Sequence, residues 1–143
     1  QGKQAEAARR YERILELNPR SAVAANNLAW ILASRSEQLD RALQLAQTAR
    51  AELPDDPRVG DTLAYVYIKR QMGSLAVPLL KQAVQKQAAD RRPPVPAYHF
   101  HLGLAYAQSG DKANARRELE EALRLKPDFE GADEARKLLS TLR

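Results

Sequence analysis

The chain has no cysteine among its 143 residues. That excludes disulfides, thiolate metal sites and a cysteine nucleophile. It leaves the compartment open, because many exported bacterial proteins also lack cysteine. No apolar run approaches the roughly 20 residues needed to span a bilayer. There is no glycine-rich phosphate loop, no G-x-S-x-G elbow and no H-E-x-x-H metal motif. No segment shows the strict apolar–polar alternation of a strand. Aromatics amount to only 6%, too few to interleave with a basic stripe as a nucleic-acid surface requires. The net charge of +5 is spread along the chain among nearly as many acids. Its densest clusters, Arg9-Arg10, Arg91-Arg92 and Arg116-Arg117, read as solvated helix faces and a loop. Hydrophobic residues at 44% and charged residues at 29% are ordinary for one domain with a continuous core. No signal peptide is visible, and the chain begins with Gln1 rather than Met, which reads as a segment of a longer protein.

What is present is a repeat. The segment from Gly2 to Pro19 returns from Gly110 to Pro127, with degenerate copies between them. Closing prolines set the spacing. Pro19 to Pro54 is 35 residues, Pro54 to its equivalent Ala88 is 34, and Ala88 to Pro127 is 39, one period plus a five-residue insertion. A period near 34 built of two helices is the signature of a helical solenoid. Helical periodicity predicts helices near 3–17, 22–34, 38–52, 57–70, 74–88, 96–109 and 111–126, with an eighth after Pro127. Ala7, Tyr11, Ile14 and Leu15 mark one face of the first. Ser21 and Asp111 are placed to cap the helices that follow them, and Pro57 suits a first helical turn. Pro78 falls in the first turn of the fifth helix or just beyond and predicts a kink or a late start. Arg91-Arg92-Pro93-Pro94-Val95-Pro96 cannot be interior helix. It reads as a stiff connector that absorbs the insertion, or as an exposed polyproline ligand.

These residues resemble the tetratricopeptide repeat, whose signature is W-x2-L-G-x2-Y, then A-x3-F, then P. The first part stands as Leu28-Ala29-x2-Leu32, Leu63-Ala64-x2-Tyr67 and Leu102-Gly103-x2-Tyr106, with Ala25, Gly60 and His99 in place of the opening Trp. The second stands as Ala7-x3-Tyr11, Ala42-x3-Ala46, Ala76-x3-Leu80 and Ala115-x3-Leu119. Ile14, Ala49, Ala83 and Ala122 follow in register. The resemblance implies an all-α right-handed superhelix of antiparallel helix pairs. Its divisions are a half-repeat over 2–21, repeats over 22–56, 57–90 and 96–129, the insertion at 91–95 and a capping helix over 130–143. Asn26-Asn27-Leu28-Ala29-Trp30 and Asp61-Thr62-Leu63-Ala64-Tyr65 are also similar to bacterial members linked to exopolysaccharide export and cell-envelope assembly. That leaves the localisation as cytoplasm, or periplasm and envelope.

Little in the chain suggests reaction chemistry. His99 and His101, two apart on a helix, point to different faces and make a poor metal pair. Asp55-Asp56 and Glu120-Glu121 lie at a turn and on a helix surface. Neither an enzyme site, a metal nor a cofactor is expected. The resemblance instead implies a non-catalytic scaffold that binds a protein or an extended peptide in its concave groove. The groove positions are Asn26, Asn27, Trp30 and Ser34 on the second helix, Arg58, Asp61, Thr62, Tyr65 and Lys69 on the fourth, and Ala97, His101, Leu104 and Gln108 on the sixth. Asn amides can pair with a ligand backbone, and Trp30 and Tyr65 offer contact area at low entropy cost. Arg58 would favour an acidic ligand residue. A carboxylate clamp of the kind one subclass uses is matched by Asn27 and Arg58, while Thr62 stands where a basic residue is needed. The alternatives are an RNA-binding helical repeat, read through Asn26, Asp61 and Phe100, and a regulatory module of a larger enzyme. No membrane insertion is expected. Self-association is expected through the N-terminal end, where the first helix lacks a hairpin partner.

Overall fold

The computed structural model describes residues 2–142. Its helices are α1 (Gly2–Leu17), α2 (Ala22–Ser34), α3 (Leu39–Glu52), α4 (Pro57–Lys69), α5 (Gly73–Ala89), α6 (Pro96–Gln108), α7 (Lys112–Leu125) and α8 (Ala132–Thr141), with no strand among the described residues. The pairs α2–α3, α4–α5 and α6–α7 stack into a right-handed solenoid. Helices α2, α4 and α6 form the inner, concave row, and α1, α3, α5 and α7 form the outer row.

Local chemistry sets the helix starts. The Ser21 hydroxyl accepts from the Ala24 N–H at 3.3 Å, and the Asp111 carboxylate accepts from the Asn114 N–H at 3.1 Å. Each satisfies a donor that the first turn leaves free. Pro57 and Pro96 open α4 and α6, where a missing N–H does no harm. Pro78 neither delays nor ends α5, which starts five residues earlier at Gly73. Its ring lies on the exposed side.

Packing repeats with the period. Ala42, Ala46 and Ala49 of α3, Ala76, Leu80 and Ala83 of α5, and Ala115, Leu119 and Ala122 of α7 are all essentially inaccessible to solvent. Spaced i, i+4, i+7, they make one narrow stripe per outer helix. Small residues there let the inner helix approach closely. A Cβ on Gly103 of α6 would come within 2.7 Å of the Leu119 side chain, so glycine is the residue this crossing accepts. Gly131 before α8 has φ +111°, and its missing side chain leaves room for the Phe100 ring 2.7 Å from where a Cβ would stand.

Helix α1 departs from the expected face. Ala8, Tyr11 and Leu15 pack on the first core cluster, whereas Ile14 is 43% exposed. Ile14 is the equivalent of Ala49, Ala83 and Ala122, which are buried against the inner helix of their own pair. No such helix stands beside α1 among the described residues, so the register puts Ile14 into solvent.

The insertion is pinned from within. Gln87, buried near the end of α5, donates to the Pro93 carbonyl at 3.0 Å, while Pro93 and Pro94 stay exposed and Val95 turns inward.

Candidate partner-binding groove

The inner helices bring Trp30, Tyr65 and His101 together although they lie 35 and 36 residues apart. Trp30 of α2 stacks on Tyr65 of α4 with ring centroids 4.5 Å apart and planes 27° from parallel. His101 of α6 lies 4.9 Å from Tyr65 and 5.8 Å from Trp30. Helices α2 and α6 belong to repeats two apart. Their side chains thus meet over α4 and divide the groove into two adjoining chambers that share Trp30, Val95 and Ala97 in their walls. Trp30 and Tyr65 remain half-buried, so each still offers a face edge to a ligand.

The first chamber, about 530 Å³, lies between α1, α2 and the starts of α4 and α6. Asn26, Asn27, Arg58, Asp61 and Thr62 line it. The Asn27 amide donates to the Tyr11 hydroxyl at 3.2 Å. Asn26 Oδ1 is buried without a hydrogen-bond partner among the described residues, an acceptor whose desolvation is uncompensated. Arg58 is already paired within its own turn. Its Nε and Nη2 donate to the Asp56 carboxylate at 3.2 and 2.9 Å, and that side-chain bond holds Asp56 below the usual carboxylate range. Arg124 holds Glu121 down in the same manner. Both are local ion pairs at the surface, invisible as such in the acidic doublets of the sequence. Thr62 donates to the Arg58 carbonyl at 3.1 Å and is 4% exposed.

The second chamber, about 720 Å³, lies between α4, α6 and α8. Tyr65, Lys69, His101, Leu104 and Gln108 line it, joined by Phe100 and by Phe129, Glu130, Glu134 and Leu138, which the groove positions of the repeat did not include. Lys69 Nζ sits 5.4 Å from the Tyr65 centroid, in cation–π range. Phe100 and Phe129 pack at 5.4 Å. Gln108 is exposed on one side and donates to the Ile68 carbonyl at 2.9 Å. Ser34 bonds back to the Ile31 carbonyl, outside both chambers.

Beneath the stack lies a contact that sequence reasoning missed. The His101 Nδ1–H donates to the Asp61 carboxylate at 2.6 Å, with both residues buried. The two are 40 residues apart, one period plus the insertion and one further position. Only the stagger between neighbouring inner helices brings them together. His99 points elsewhere, its Nδ1 lying 3.3 Å from Glu118. Among the described residues no group of three His, Cys, Asp or Glu side chains is arranged to hold a metal. No helix among them is long and apolar enough to cross a membrane. Of the positions an RNA-reading repeat would use, Asp61 and Phe100 are buried and Asn26 is half-exposed.

Burial governs the Tyr98 and Tyr65 phenols. The Tyr98 hydroxyl is pushed up to about 12, first by burial and then by Asp61 and Asp56. The Tyr65 hydroxyl is raised by burial, then by Glu134, Asp61 and Glu130.

Comparison with known proteins agrees with this architecture. Family models described as Tetratricopeptide repeat match residues 1–66 and 96–129. Among solved structures, TTC0263, a thermophilic TPR protein of Thermus thermophilus, is similar over 99% of this chain and 73% of its own, with 24% identity and a TM-score of 0.76. PilF of Pseudomonas aeruginosa is similar over 99% of this chain and 60% of its own, at 23% identity and 0.76. MamA of Desulfovibrio magneticus RS-1 covers 90% and 70%, at 20% identity and 0.71. No curated protein matches the chain.

Proposed function

Because the chain belongs to the tetratricopeptide repeat family, we propose that it is a non-catalytic protein-interaction scaffold holding an extended partner segment in its concave groove. The observation that carries this reading is the half-exposed Trp30–Tyr65 stack between two chambers. Rigid aromatic side chains held by their neighbours lose little freedom on binding and make strong anchors. Asn26 and Asn27 supply amides to the ligand backbone at one end, and Leu104 extends the apolar wall at the other. Asp61, Thr62 and His101 act from below, as the floor that fixes the stack. An acidic ligand residue at Arg58 would share the guanidinium with Asp56, which holds Nε and Nη2 and leaves Nη1 open.

The test is affinity for a partner isolated by pull-down. Trp30→Ala or Tyr65→Ala is expected to weaken it by at least about tenfold, as for an interface hot spot, with helicity by circular dichroism intact. Arg117→Ala, on the outer surface, is expected to leave affinity unchanged. Equal losses from inner and outer changes overturn the groove reading. The proposal also includes self-association at the N-terminal end, where Ile14 and Leu17 stand exposed on one face of α1. Ile14→Ser with Leu17→Ser should abolish any concentration-dependent rise in mass by light scattering.

A further inference from the structure

The second chamber carries four charges at its rim, Lys69, Lys126, Glu130 and Glu134. They sum to zero, so their placement decides what the chamber attracts. Lys69 already lies on the Tyr65 ring. Lys126 is the C-cap of α7, where the helix dipole favours a cation. Glu130 and Glu134 are exposed, and neither makes an ion pair among the described residues. They face an apolar wall of Trp30, Tyr65 and Leu104.

We propose that this chamber takes a basic residue, arginine or lysine, from an extended partner segment, with its stem along the Trp30–Tyr65–Leu104 wall and its head between Glu130 and Glu134. The proposal rests on the groove reading above. Long cationic side chains suit such a site, because they bury their methylenes on apolar surface while the charge stays at a wet rim. The local field agrees. Glu134, Asp61 and Glu130 add to burial in raising the Tyr65 hydroxyl, while Lys69 lies over the same ring. The chamber, neutral in sum, does not share the positive excess of the whole chain, which is +5. Selection of a basic segment is thus a property of this site and not of bulk charge. Glu134 and Leu138 make α8 part of the binding wall as well as a cap on the last repeat.

The experiment is selection of the intact chain against a phage-displayed library of random peptides. Selected peptides should be enriched in Arg and Lys, with binding weakened by raised salt. Their affinity should fall about tenfold in a Glu130→Gln, Glu134→Gln double variant. Both carboxylates are exposed, so that variant leaves the core untouched. Acidic or charge-indifferent peptides that still need Trp30 would overturn the basic-residue assignment and leave the groove reading standing. Peptides indifferent to Trp30→Ala, or no enrichment at all, would overturn both.

Discussion

The inner and outer rows of helices are built to different rules. Helices α2, α4 and α6 bury seven, eight and six residues, against three, five and three in α3, α5 and α7. An inner helix is enclosed by its own partner, by the outer helix before it and by its inner neighbours. An outer helix needs only a stripe of alanines, with one leucine added in α5 and in α7. The outer row spends its remaining surface on ion pairs between neighbouring repeats, such as Arg41–Glu12 at 2.6 Å and Arg20–Glu52 at 2.6 Å. These are at least partly exposed and weak. The inner row places polar groups where water is scarce, and there each one matters. A ligand surface can only arise where aromatic area is presented without being fully consumed by packing, and that is the inner row.

The largest expected effect tests whether the outer stripe belongs to the core at all. Leu119 is fully buried. Leu119→Ala should cost about 4 kcal/mol, as deep leucine truncations do, and match Leu28→Ala on the inner row. A loss of about 1 kcal/mol or less by denaturant titration would break the idea that both rows share one core.

The next test sets a buried polar pair against a half-exposed one. His101→Ala strands the Asp61 carboxylate and should cost about 3 kcal/mol. Glu12→Gln, on the outer row, should cost about 0.5 kcal/mol. Similar losses at the two sites would erase the distinction between the rows.

A smaller effect appears with alkali. The Tyr98 hydroxyl is raised to about 12 in the folded chain from an ordinary 10.0. Between those values the folded state keeps a proton that the unfolded state has lost. Stability from this group is therefore fully present below pH 10 and declines as pH rises toward 12. The whole loss approaches about 2 kcal/mol. Tyr98→Phe should flatten that decline in thermal melts across the window. An unchanged slope would mean that Tyr98 is not held protonated by burial.

Much of this was legible before any coordinates. The prolines gave the period, and Ala42, Ala76 and Ala115 gave the outer stripe, because a residue repeated in every unit meets the same neighbour each time. Ser21, Asp111 and Pro57 marked helix starts, because capping is local. Ile14 read as packed and is not, because a register names a face without saying whether a helix stands against it. Arg58 reads as a ligand contact, and its pairing with Asp56 two residues away depends on side-chain rotamers that residue types alone do not specify.

The sequence by itself determined an all-α solenoid, its period, its insertion and the helices whose side chains face inward. Those follow from spacing and from interactions within a turn or two of chain. Tertiary structure alone decided that Trp30 meets His101 across α4, that Asp61 is bonded to His101, and that Val95 and Glu134 join the groove wall. Each of these joins separate helix pairs or reaches across the insertion. The small rotation between successive pairs brings them together, and that rotation comes from how many side chains pack at once rather than from any one position in the chain.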